Sequence, residues 1–281
     1  MSRTIAWIDG HWGEPMALGV PLSDRGLHLA DGVFETVLLC NGRPQLLRAH
    51  HQRWCAGADV LGMAAPPSLD TLQPLIQEAA KRCGIGLDAS PSHGALRLNW
   101  SRDGAGSRGI QVPPGAPDPA QHRFWFSLAP HTPRFAAVRT WISRHEQRNA
   151  NSQLSHCKTF AYGQAIQARR EALSQGAEEG LLRSTTGELC CASTANLLVR
   201  RQGRWLTPPL GSGCLPGIMR QRLLDQGVAR EHRLETEPEP EDQWLLINSL
   251  DCRPVSAIDG QPLKISADAA DLWTSLLQNT D

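Results

Sequence analysis

The stretch SHCKTFAYG, residues 155–163, places one lysine and the chain's only tyrosine at the head of an amphipathic run that reads as a helix over 159–174. The 281-residue chain has 28 basic residues, yet only Lys81, Lys158 and Lys264 are lysines. Chemistry that needs an amine nucleophile therefore has three candidates. Lys81 falls in the last turn of an expected helix, where a cation complements the helix dipole and faces water. Lys264, in GQPLKIS, reads as exposed. Lys158 lies between apolar or small neighbours, and a desolvated lysine shifts toward the neutral amine that attacks carbonyls. On position alone a surface role for Lys158 stays open.

Outward from this segment, short apolar runs alternate with longer amphipathic ones, the pattern of a mixed α and β chain without a repeat. Strands are expected over 4–8, 33–40 and 45–47, then helices over 50–61 and 71–83 stopped by Gly62 and Gly84, then strands over 95–100 and 123–128. The two prolines within 130–135 mark the best interdomain connection, which divides the chain into 1–131 and 132–281. Beyond it come strands over 138–143, 180–183 and 189–199, and helices over 217–226 and 271–278. The acidic run 235–242, with two prolines, reads as a solvated turn.

Composition narrows the function classes. Lys+Arg 28 against Asp+Glu 28 leaves no net charge to attract polyanions, so no nucleic-acid partner is expected. The N-terminus lacks the basic and apolar regions of a signal peptide, and no stretch approaches the ~18 apolar residues of a membrane span, so a cytoplasmic protein without a membrane partner is expected. Eight cysteines without a CxxC pattern give no support to a metal site or a disulfide framework.

Two glycine-rich segments invite a phosphate reading. GAGSRG, 104–109, matches a dinucleotide pattern, but the residues that follow, IQVPPGAPDP, cannot form the helix that such a turn must open. A loop presenting Arg102 and Arg108 to an anionic substrate, or a plain surface loop, remains. TPPLGSGCLPGIMRQRLL, 207–224, combines a Pro-Pro stop, a glycine loop and an abrupt helix start. There the N–H groups of Ile218 and Met219 would converge on a small anion. Arg53, on the first long helix, could add a bidentate cation.

Seven segments in order, SDRGLHLADGVFETV (23–37), HHQRWCAGADVLG (50–62), the Lys158 segment running into ARREA (168–172), GAEEGLL (176–182), STANLLV (193–199), TPPL…LPGIMR (207–220) and INSL…RPV (247–255), resemble the fold type IV, class IV aminotransferase family. This family of pyridoxal-phosphate enzymes includes branched-chain and D-amino acid aminotransferases and aminodeoxychorismate lyases. The resemblance implies an α+β, two-domain fold with a smaller N-terminal α/β sandwich and a larger C-terminal pseudo-barrel domain with flanking helices. It also implies pyridoxal 5'-phosphate held between the domains, a small amino substrate and a homodimer. Lys158 resembles the lysine that bonds the cofactor, and Arg53 the arginine that grips its phosphate, with Ile218, Met219 and Ser249 beside Asn248 as further phosphate contacts. Tyr162 falls where many members place a residue near the cofactor ring, and Thr36 and Arg108 fall where substrate contacts are expected.

The main departure from the family concerns the cofactor nitrogen. Five residues before Asn196 the pattern has a glutamate, and here stands Cys191. Glu188, at an odd offset on an expected strand, should face the other way. A carboxylate keeps the cofactor nitrogen protonated and the ring an electron sink, whereas a thiol, with a reference pKa of about 8.5, is a poor acceptor. GIMR together with the Cys-Cys-Ala run resembles the lyase branch, which releases pyruvate from 4-amino-4-deoxychorismate to give 4-aminobenzoate, a folate precursor. An aminotransferase acting on D-amino or branched-chain amino acids and a non-catalytic cofactor-binding relative are the alternatives.

Overall fold

The computed structural model describes residues 3–86, 92–104, 109–112 and 114–278. The chain divides into two compact units, Met1–Thr132 with Cys157–Ala161, and Pro133–His156 with Tyr162–Asp281. The segment carrying Lys158 thus packs with the first unit, although a single cut at residue 131 would place it in the second.

The first unit is built on strands β1 Ile5–Ile8, β2 His11–Gly13, β3 Gly32–Cys40, β4 Arg43–Pro44, β5 His93–Arg102 and β6 His122–His131, with helices α1 Arg25–Leu29, α2 Leu47–Val60 and α3 Leu69–Cys83. The strands form an antiparallel sheet in the order β2-β1-β6-β5-β3-β4. Val33, Val37 and Leu39 of β3, with Leu96 and Leu98 of β5, face a core shared with Trp54 and Ala58 of α2 and Leu72 and Ile76 of α3. Ser68 caps α3 by accepting from the Thr71 N–H at 3.3 Å, and Gly84 ends it at φ 74°. The strand expected over 45–47 is not formed. Leu46 takes φ 54°, which breaks the extended chain and lets α2 start at Leu47, three residues before its expected start.

The second unit holds strands β7 Val138–Arg148, β8 Glu179–Ser184, β9 Leu189–Ala192, β10 Asn196–Arg201, β11 Arg204–Thr207, β12 Ala229–Glu231, β13 Gln243–Ile247, β14 Cys252–Ile258 and β15 Gln261–Pro262, with helices α4 Gly163–Ser174, α5 Ile218–Asp225 and α6 Ala269–Leu277. Because β9 pairs with both β8 and β10, the path β10-β13-β14-β7-β8-β9 closes into a six-strand barrel, flanked by β11, β12 and β15. The barrel removes exposed edges, and its interior is filled by Val138, Leu181, Leu197, Trp244 and Val255, among others. The expected run 189–199 splits at Ser193, Thr194 and Ala195. There the chain reverses, with Ala192 N–H bonded to Ala195 O at 2.9 Å, which turns β10 back toward Cys191. No described helix is long and apolar enough to cross a membrane.

Candidate active site

In the first unit, the alternation of β3 sorts the segment VFETV onto two faces. Val33, Glu35 and Val37 face the helices, while Phe34 and Thr36 face the other way. The register pairs Thr36 with Arg97 and Phe34 with Asn99, so these four side chains share one face. Lys158 reaches the same face because its segment lies along the free edge of β3. Phe34 N–H donates to Lys158 O at 2.9 Å, Phe160 N–H donates to Gly32 O at 3.1 Å, and Val33 bridges Thr159. This extended docking displaces the expected helix start from Thr159 to Gly163. It also requires glycine at position 32, where a Cβ would stand 2.5 Å from the Phe160 ring and 2.8 Å from Trp100 O. The Lys158 Nζ lies 4.4 Å from the centroid of Phe34, and the Arg97 guanidinium lies 3.7 Å from the same centroid. Arg97 is steadied by Asn99, which accepts from its Nε at 2.8 Å.

On the opposite face of β3, Arg53 grips Glu35 through Nε at 2.8 Å and Nη2 at 2.7 Å, and His50 Nδ1 lies 2.7 Å from Glu35 Oε2. His50 and Arg53 are three residues apart on α2 and so share a helix face. Burial alone would raise the Glu35 pKa, but the Arg53 charge and the His50 hydrogen bond hold it down at about 2. Burial lowers the His50 pKa below 6.5, despite the opposing pull of Glu35. Both folded values lie below the unfolded ones, so the unfolded chain binds more protons and stability must decline as the pH is lowered. The His50 contribution is complete above pH 6.5 and is lost as pH drops below it. The Glu35 contribution is lost between 4.5 and about 2. Urea midpoints measured from pH 8 to pH 3 should decline in these two windows, and Glu35→Gln should shrink the lower one, to which Glu171, Glu178 and Glu188 also contribute. A midpoint that rises between pH 7 and pH 5 would contradict the assignment.

In the second unit, α5 begins without a side-chain cap, at Gly217. Its first-turn residues Ile218 and Met219 are buried, so their N–H groups are polar donors withdrawn from water and suited to an anion. Gly217 is dictated by close approach, since a Cβ there would lie within 1.9 Å of Asn196 Oδ1. Ser249 sits in the β13–β14 turn, which Asn248 builds by accepting from Leu250 N–H at 2.8 Å and Asp251 N–H at 2.9 Å. Tyr162 occupies the N-cap position of α4.

Cys191 is buried on β9 and stands opposite Leu182 of β8 and Asn196 of β10. It packs with Cys190 and Cys214. Hydrogen bonds to Cys191 and Cys214, reinforced by burial, keep the Cys190 thiol protonated. The hydrogen bond from Cys190, helped by the charges of Arg220 and Arg148, lowers the Cys214 pKa. Glu188, just before β9, and Glu179, on β8, are committed elsewhere. Glu188 accepts from Ser212 Oγ at 2.6 Å, and Glu179 accepts from Arg169 at 2.8 Å and from Ser193 Oγ.

Two arginines of the glycine-rich region part company. Arg102 is buried, bonded to Asp31 at 3.0 Å and to the carbonyls of Leu61 and Gly62, so it fastens the fold and is not offered to a substrate. Arg108 lies outside the described residues. The residues that sequence reasoning passed over are Glu35, His50, Phe34 and Arg97. The two-residue alternation of VFETV and the three-residue spacing of His50 and Arg53 were the available signals.

The model of the amino-transferase class IV family matches residues 32–258, and the chain belongs to that family. It is accordingly a pyridoxal-phosphate-dependent enzyme, an aminotransferase or a lyase. Its relatives fall in both groups. A bifunctional aminodeoxychorismate lyase and D-amino acid transaminase from Mycobacterium tuberculosis is 25% identical over 276 residues, covering 89% of this chain and 91% of the relative. A putative aminodeoxychorismate lyase from Schizosaccharomyces pombe is 27% identical over 203 residues, covering 71% and 75%. A fold IV transaminase from Curtobacterium pusillum superposes with a TM-score of 0.82 at 21% identity, over 98% of both chains. Taken unit by unit, the groups present suit such a cofactor: the first unit offers an amine in Lys158, and the second an uncapped, buried helix N-terminus at Ile218 and Met219 whose N–H groups suit an anion. Cys191, where the sequence resemblance expects a glutamate, offers a thiol.

Proposed function

We propose that the protein is a lyase that releases pyruvate from 4-amino-4-deoxychorismate to give 4-aminobenzoate. The observation that carries this reading is Cys191, buried among thiols and apolar side chains where family members have a carboxylate. Pyridoxal phosphate, when bound, supplies an electron sink for bond breaking at the substrate Cα. Transamination draws on that sink twice per turnover, on donor and on acceptor, while the elimination draws on it once. A site with a weakened sink is thus better suited to the lyase reaction. Membership in a family that also holds lyases, and the GIMR helix start, agree with this.

In this reading Lys158 would hold the cofactor through Nζ and would carry the substrate Cα proton on the same atom. The family pattern gives phosphate contacts to Arg53 in the first unit and to the N–H groups of Ile218 and Met219 and the Ser249 hydroxyl in the second; within the first unit Glu35 fixes the Arg53 fork. Tyr162 lines the cofactor ring. Thr36, on the Lys158 face of β3, orients the substrate, and Arg108 contributes to binding its carboxylate.

Acceptor-free pyruvate release from 4-amino-4-deoxychorismate is the deciding assay. Turnover that appears only when a 2-oxo acid is added would assign an aminotransferase instead. The Cys191 argument has its own test. Cys191→Glu restores a charge-assisted hydrogen bond worth roughly 1.5–3 kcal/mol, so transamination of a D-amino acid should rise about 10- to 100-fold. Unchanged rates for both reactions would remove the electronic basis of the proposal.

A further inference from the structure

We infer that Phe34 is a positioning residue for the Lys158 amine, its ring holding Nζ on the face of the sheet that carries Thr36 and Arg97. This rests on Lys158 being the reactive lysine.

Three observations converge on this one residue. The backbone of Phe34 is bonded to the backbone of Lys158, at 2.9 Å, which fixes the root of the side chain. The ring then meets the far end, with Nζ 4.4 Å from its centroid. The same ring meets a second cation, Arg97, at 3.7 Å. Two like charges gathered on one sheet face repel each other, and a shared aromatic ring offers both a negative π surface. Phe34 itself is 3% exposed and lies 6.2 Å from Phe160, so its ring has little room to turn away. A lysine side chain has a flexible four-carbon stem. The ring supplies what the backbone bond cannot, a preferred location for the amine when it is detached and must reach a substrate proton. Orientation of this kind acts on turnover more than on substrate binding.

The chain's lysine count makes the test direct. Reductive methylation of the apoprotein with carbon-13 formaldehyde labels Lys81, Lys158 and Lys264 together with the N-terminus, and K81R and K264R assign the signals. In the wild type the Lys158 methyl signal should be displaced upfield by the ring, while those of Lys81 and Lys264 are not. In F34L the displacement should vanish, and in F34Y it should persist. For the loaded enzyme, F34L should lower kcat by about 2- to 30-fold with KM changed less than about 2-fold, and F34Y should recover most of the loss. A wild-type Lys158 signal that coincides with those of the other two lysines overturns the inference without any variant. So does F34Y falling as far as F34L, which would make the ring a packing element only. Failure of the underlying lysine assignment is separately visible, because borohydride reduction would then fix the cofactor on a residue other than Lys158.

Discussion

Lys158→Ala is expected to lower turnover by about 10²- to 10⁴-fold, the range associated with loss of a positioned proton-transfer group, and to abolish the cofactor adduct that borohydride fixes in the wild type. The same protein provides its own controls. Lys81 is exposed in the last turn of α3, and Lys264 forms an ion pair with Glu241 at 2.6 Å. Neither lies on the face that Phe34, Thr36 and Arg97 share, so K81A and K264A should retain wild-type turnover and the adduct. The adduct is read by mass spectrometry of peptides, which separates loss of the bonding amine from loss of fold. Retention of the adduct in K158A, on either remaining lysine, would refute the assignment of Lys158. Fold stability should change little in K158A, since the segment keeps its backbone bonds to Gly32 and Phe34.

Lysine scarcity limits the proposed reactive amine to three candidates, local context sets two of them aside, and the ordered family motifs select Lys158. The helix stops are equally open to reading. Gly62 and Gly84 take φ of 59° and 74°, the left-handed conformation that glycine enters at low cost. What cannot be read depends on partners distant in the chain. The run 189–199 is apolar enough for one strand, and only the return of β9 and β10 into a closed barrel forces a turn at Ser193 to Ala195. Arg102 resembles a substrate arginine because a sequence gives no sign that Asp31 and two carbonyls of the α2 terminus are waiting for it. Arg97 is overlooked for the same reason. Its place beside Phe34 follows from the β3–β5 register, between strands far apart in the chain.

The Glu35 network gives the second large expectation. Glu35→Ala removes the carboxylate that Arg53 and His50 share and leaves both side chains largely buried around an empty space. Breaking a buried pair by deleting one member costs about 3–5 kcal/mol, because the surviving charge keeps its desolvation cost without its partner. The loss should appear in urea unfolding of the apoprotein at pH 7, before any cofactor is involved. Glu35→Gln keeps an acceptor oxygen and the side-chain volume but not the charge, so its cost should be smaller. The double variant Glu35→Ala with Arg53→Ala should be less destabilised than the sum of the two single changes, because the guanidinium that Glu35 balanced is gone as well. Arg53 also needs Glu35 for its geometry. A fork released from its carboxylate should grip phosphate less well, raising the Kd for pyridoxal phosphate in Glu35→Gln by about tenfold, equivalent to ~1.4 kcal/mol. Strict additivity of the two alanine changes would show that the pair is not energetically coupled. An unaltered cofactor Kd would show that Glu35 serves the stability of β3 and α2 alone.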